Sequence, residues 1–367
     1  MNNHHIVRQR LQNQRLVGQP FETPEEVVSW LGAVQAQEYM QARWALGLRA
    51  PALTREKVEK AFAEGRILRT HVMRPTWHFV TPHDIRWLLQ LTAPRVKTAV
   101  GSYLRKFEVD DALCARSYDV LVRELQGDKQ LQRSELQAAL LQEGIIGEDD
   151  DRLRFTLLIM CAELDGILCS GARQGKQHTY ALLEERVPPG RDLDRDEALA
   201  ELTLRYFSSH GPATEYDFGW WSGLTLAQVR EGIDMVRSQL ASETVDDMVY
   251  WFSPDGAMPG TSPQALQAQD SRAWLLPAFD EYLIGYKDRS AAHGETHKDK
   301  INDNGLQTIV HEGRVIGLWN RKFRTNEVDV TLQPFVAFQE KQPEKIGAAV
   351  DRYSAFLEMP VTVTQTT

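Results

Sequence analysis

Cysteine is scarce in this chain: Cys114, Cys161 and Cys169 stand far apart, and no two form a C-x-x-C pair. An odd, scattered set gives neither a disulfide framework nor a cysteine-ligated zinc site, so the three are expected to be buried thiols. Also lacking is any apolar run of the roughly 20 residues that span a bilayer, and any charged-then-apolar leader. A soluble protein of the cytoplasm, associated with the nucleoid and with no membrane partner, is the expectation. Positive charge is in deficit as well, with 42 Lys and Arg against 51 Asp and Glu. An even deficit would argue against binding a polyanion, which needs a basic surface. The deficit is uneven. Residues 1–110 carry 16 Lys and Arg against 10 Asp and Glu, whereas the rest of the chain carries 26 against 41. A nucleic-acid footprint is therefore expected on the first third; the acidic remainder limits indiscriminate sticking or simply keeps the protein soluble.

What is present is 367 residues, enough for two to four domains at roughly 100–200 residues each. Apolar positions at helical spacing begin near Ile6. Thr23-Pro24-Glu25-Glu26 then supplies a capping residue, a first-turn proline and two acids at the positive helix end, predicting a helix through Val34. A second helix starts at Thr54. Residues 67–73 and 76–80 read as strands joined by a turn at Arg74-Pro75. Helices followed by a hairpin are the layout of a winged helix, and the layout returns. Helices are predicted at 117–125, 133–142 and 152–164, with strands at 166–170 and 178–182 around a glycine-rich tip. Further helices follow at 196–208, 213–221 and 226–240, with a strand at 248–252. A linker rich in Pro, Gly, Ser and Ala runs from Ser253 to Gln269. Strands at 274–276, 307–310, 313–319 and 327–332 and a helix at 343–358 close the chain. The expected fold class is α+β: winged-helix modules at 1–110, 111–190 and 191–262, then a small β-barrel-like C-terminal domain at 263–367, for which an open sheet is the alternative.

Two local features carry chemistry. Gln35-Ala36-Gln37 places two amides two residues apart, and on a continuous helix they would point roughly 200° away from each other. They serve one site only where the backbone is extended or turning; otherwise they are surface glutamines. The hairpin is the second feature, with Trp77 and His78 past the turn and Arg69, His71 and Arg74 across from them. A ribbon of cations, imidazoles and an aromatic suits a DNA groove, or else it is an ordinary packed wing with Trp77 in the core and His78 bonded to backbone. Lys97 and Lys106, the possible Schiff-base amines, read as surface lysines, and Asp280, Asp288 and Arg289 as a structural network in which Arg289 is open to a phosphate contact. His4 and His5 read as incidental neighbours at the terminus. His293 and His297 echo a metal pair, but Gly294 between them argues against a helix and no third ligand is evident.

Taken together, certain segments resemble one family: Val34-Gln35-Ala36-Gln37, Leu68-Arg69-Thr70, Met73 through Val80, Gly211-Pro212-Ala213-Thr214, Trp220 through Leu224, Leu275 through Arg289, and Glu312-Gly313-Arg314-Val315 before Gly317-Leu318-Trp319. The resemblance is to the winged-helix alkylpurine DNA glycosylases of the AlkZ and YcaQ type, over nearly the full length. It implies three tandem winged helices and a C-terminal β-domain curved around duplex DNA, with Gln35 and Gln37 as the catalytic motif and no cofactor. Gln37 puts the chain in the glutamine branch, whose members act on bulky or crosslinked N7-alkylguanines, rather than in the branch with aspartate at that position. Two departures stand out. Pro75 replaces the glycine common in the hairpin turn, and Trp77 and Phe79 are bulkier than the family's usual residues, which would change the lesion that fits. The function expected is hydrolytic removal of alkylated purines from double-stranded DNA by a monomer, and the alternative is a non-catalytic winged-helix transcription regulator.

Overall fold

The computed structural model describes residues 2–147, 152–254, 272–294 and 305–366. It is α+β and divides into two compact units, residues 1–58, 200–221 and 225–367 in one, and 59–199 with 222–224 in the other. Of the expected linker, residues 255–269 lie outside the described residues.

In the first unit, Asn3–Asn13 is followed by the helix Pro24–Leu31, whose capping box is complete: Thr23 Oγ1 accepts from the Glu26 N–H, and the Glu26 carboxylate accepts from the Thr23 N–H. This helix stops three residues short of the expected Val34. Gly32 ends it with φ +81°, a backbone angle that side-chain-bearing residues seldom adopt. Val34–Gln35 is extended, and a helix resumes over Tyr39–Arg49. Farther along, the helices Arg195–Ser209, Glu215–Ser222 and Leu226–Val236 lead into an antiparallel hairpin, Ala241–Val245 with Met248–Phe252. Its two-residue turn, Asp246-Asp247, has both φ positive, the pattern that matches strand twist.

The C-terminal strands form an open five-stranded sheet rather than the expected barrel. From one edge to the other its strands are Val361–Gln365, Val328–Pro334, Arg314–Phe323, Thr308–His311 and Ala273–Leu276. Closure is unnecessary because the helix Gln342–Leu357 seals one face: Tyr353 packs edge-on against Trp319 and Trp44 at 5.2 and 5.0 Å, and Phe356 lies 5.1 Å from Trp44. Val361–Gln365, absent from the sequence expectation, adds in parallel to Val328–Pro334.

The second unit holds the hairpin Leu68–Val72 and Arg74–Val80, and the helices Ile85–Lys106, Asp111–Leu125, Arg133–Gln142 and Arg152–Leu164. Antiparallel strands Leu168–Ser170 and Thr179–Leu182 follow. Leu121, Leu136, Leu140, Phe155 and Leu158 form the centre of a core that includes Cys114 and Cys161. All three cysteines are buried and free. Ile85–Lys106, 22 residues long, was not foreseen from the pattern. Pro94 stands in its interior, where a proline is ordinarily a stop signal.

Candidate active site

The glutamine pair sits where the helix has broken. With Val34–Gln35 extended and residues 36–38 outside any helix, the helical geometry that would force the two amides apart is absent. Ala36 is fully buried, Gln35 is buried and Gln37 half-buried.

The backbone of this stretch is fixed from elsewhere in the same unit. Glu281 Oε1 accepts the Gln35 N–H at 2.8 Å, and Oε2 accepts the Trp221 indole N–H at 2.9 Å. His210 Nε2 lies 3.4 Å from the same Oε2; its ring stacks on Tyr206 at 4.8 Å and its Nδ1 lies 2.8 Å from Ser209 Oγ. Burial pushes the His210 pKa down despite the Glu281 carboxylate, so the imidazole is neutral near pH 7. The Glu281 carbonyl accepts from Gln14 Nε2 at 3.0 Å. Next in sequence, Asp280 holds Arg49 in a buried two-pronged pair, 2.8 and 2.9 Å, and Arg49 also donates to Gln14 Oε1 at 2.7 Å. Asp280 thus falls in the structural network expected for it. Arg289 donates through Nε to the Leu283 and Tyr286 carbonyls, and Asp288 accepts from Ser290.

The hairpin belongs to the other unit and turns at Met73, not at Arg74-Pro75. Met73 takes φ +63°; its N–H donates to Thr92 Oγ1 at 3.1 Å, and its carbonyl lies against Gly223. Pro75 stands inside the second strand. Having no N–H for the ladder, it sits where the register slips: His71 pairs with Trp77 but Val72 with Arg74.

On one side of the ribbon Arg69, Trp77 and His71 cluster, with the Arg69 guanidinium 4.3 Å from the Trp77 ring centre and the tilted His71 ring 4.2 Å from it. His71 Nδ1 pairs with the buried Glu163 carboxylate. On the other side His78, fully buried, hydrogen-bonds the Thr76 carbonyl through Nδ1 at 3.0 Å, while Arg74 Nη2 reaches its Nε2 at 3.4 Å. Of the five hairpin residues expected to meet DNA, only Arg74 and Trp77 present appreciable surface; Arg69, His71 and His78 are buried behind them. Trp77 is half-buried rather than part of the core.

Glu281 and Glu163, the buried carboxylates that contact Gln35 and His71, were not singled out from the sequence. Their signal was acid within an apolar run, the Asp280-Glu281 pair between Leu275 and Ile284 and Glu163 alone between Leu157 and Leu164, where a buried carboxylate needs partners. Lys97 is tied to Asp165 at 2.6 and 2.8 Å, and Lys106 lies over the Phe107 ring at 5.2 Å. His297 lies outside the described residues, and among the described ones no group of three or more His, Cys, Asp or Glu is placed to hold a metal. No helix among them is long and apolar enough to cross a membrane.

Comparison with known proteins places the chain among the DNA glycosylases, enzymes that bind DNA and hydrolyse its N-glycosyl bonds in repair. The chain belongs to the AlkZ-like DNA glycosylase family, which it matches over residues 28–356. An interstrand DNA cross-link repair glycosylase from Streptomyces sahachiroi is 26% identical over 96% of this chain and 97% of its own length. The solved structure of the DNA glycosylase AlkZ from the same organism superposes with a TM-score of 0.80, covering 98% of this chain and 99% of that one at 22% identity, so the two share a fold. Membership of an enzyme family sets the regulator alternative aside.

Proposed function

We propose that this chain is a monofunctional glycosylase that hydrolyses the N-glycosidic bond of N7-alkylated purines in duplex DNA, bulky or crosslinked adducts included. The observation that carries the reading is the break after Leu31, which puts Gln35 and Gln37 on non-helical backbone. The Streptomyces relative is named for interstrand cross-link repair, which supports the lesion class. We read the helices and hairpins as three winged-helix modules, 1–110, 111–190 and 191–262, ahead of the domain at 263–367.

The chemistry suits neutral amides. N7-alkylated guanine carries positive charge, so cleavage of the C1′–N9 bond sends the bonding pair into a base that becomes neutral without prior protonation. The sugar takes on oxocarbenium character, water adds at C1′ and its proton passes to solvent. Gln35 and Gln37 orient that water and face the developing charge with carbonyl dipoles. Arg74 and Trp77 engage DNA from the hairpin, on the support of Arg69, His71 and His78. The test is free-base release from a duplex bearing one N7-methylguanine. Wild type should release it, and Gln37→Ala should lose at least about 100-fold in rate while DNA affinity stays nearly unchanged. No release by wild type from methyl or bulky adducts would end the proposal.

A further inference from the structure

We propose that Glu281 is a positioning residue for the glycosylase reaction: its carboxylate, held between the Gln35 N–H and the Trp221 indole N–H, sets the backbone from which the Gln35 and Gln37 amides are presented. This rests on the function proposed above.

Four observations lead here. The extended element at the glutamine pair is only two residues long, below the usual length of a strand, so it needs support beyond its own ladder. Support comes from a fully buried carboxylate using one oxygen on the strand and the other on Trp221. Burying a carboxylate is expensive unless hydrogen bonds satisfy it, and here both oxygens are engaged. The carboxylate is itself anchored from both sides along its chain: Asp280 by Arg49, and the Glu281 carbonyl by Gln14. The chain from Arg49 through Asp280 and Glu281 to the Gln35 N–H therefore fixes one backbone atom of the catalytic motif against the core. Misplacing a water-orienting group by about 1 Å can cost ~100-fold in rate, so this hydrogen bond bears on turnover rather than on DNA affinity.

The structure also says which substitution should rescue. Gln at 281 keeps one oxygen acceptor for the Gln35 N–H but meets the Trp221 N–H with an amide NH2; Ala keeps neither contact. The experiment uses the full chain and a duplex with one N7-methylguanine, reading single-turnover release, DNA dissociation constant by anisotropy, and hydrogen exchange of the backbone at residues 33–38. Glu281→Ala should slow release by about 100-fold and Glu281→Gln by about 10-fold or less, both with affinity within about twofold of wild type. Exchange at 33–38 should quicken in the order wild type, Gln, Ala. A folded Glu281→Ala protein with wild-type release, or a Glu281→Gln protein that is folded and as slow as Ala, overturns the proposal. So does unchanged exchange in Glu281→Gln, which serves if Glu281→Ala does not fold. Absence of release from wild type itself is the failure of the proposed function, and the exchange readout still reports separately whether Glu281 holds the strand.

Discussion

His293 shows how burial turns a single side chain into a pH sensor of stability. It ends the short helix Ser290–His293, is buried, and its Nε2 has no hydrogen-bond partner among the described residues. Burial and the neighbouring Arg289 cation push its pKa from 6.5 down to about 4, against a smaller opposing pull from Asp288. The folded form thus stays neutral between those values while the unfolded chain takes up a proton. Stability from this group is whole above pH 6.5 and is lost as pH falls toward about 4. His293→Gln should flatten the slope of unfolding free energy between pH 6.5 and 4 by up to ~1.4 kcal/mol per pH unit, measured by urea denaturation at stepped pH. An unchanged slope would mean that the imidazole is solvated in the native state. Neighbouring side chains elsewhere behave by the same logic of desolvation: Cys169, enclosed by the core, is pushed up to about 12 and is inert as a nucleophile at neutral pH.

Among the elements, the hairpin shows most clearly how a local sequence signal is overridden. Arg74-Pro75 looks like a turn, yet the chain reverses one residue earlier, on Met73, because two contacts hold that residue in place. Thr92 accepts its N–H, and Gly223, with φ +73°, lets its own backbone come so near that a Cβ there would stand 2.1 Å from the Met73 carbonyl oxygen. Gly223→Ala meets both a steric clash with backbone and a left-handed φ. It should destabilise the protein by about 2 kcal/mol or more, read as a lowered urea midpoint at constant m-value. A loss under about 0.5 kcal/mol would show that the turn yields freely.

For the whole molecule, charge distribution matters more than net charge. The surplus of Lys and Arg lies within residues 1–110, where the half-exposed Arg74 stands, while Arg230 is spent on a two-pronged pair with Glu215 at 2.7 and 2.8 Å. Each phosphate contact releases condensed counterions, so it steepens the fall of affinity with salt. Arg74→Ala should reduce the slope of log K against log salt by about one, and Arg230→Ala should leave it unchanged, in duplex binding titrated from low to moderate salt. Equal slopes for Arg74→Ala and wild type would remove the hairpin arginine from the DNA contacts.

The sequence alone determined the features that depend on neighbours within a few residues. The cap at Thr23, the helices at 133–142 and 152–164 and the strand at 248–252 are fixed by local hydrogen bonds and by apolar period, and were legible as such. The proposal of Gln35 and Gln37 as the catalytic motif came from the family resemblance rather than from any local pattern. Tertiary structure decided what depends on partners far along the chain. That Glu281, 246 residues from Gln35, holds the motif's backbone, that Met73 rather than Pro75 turns the hairpin, and that a helix seals the last sheet instead of barrel closure are all such choices. The physical reason is common to them: a buried polar group or an open sheet face must be satisfied by whatever the fold brings near, and no local pattern records which segment that will be.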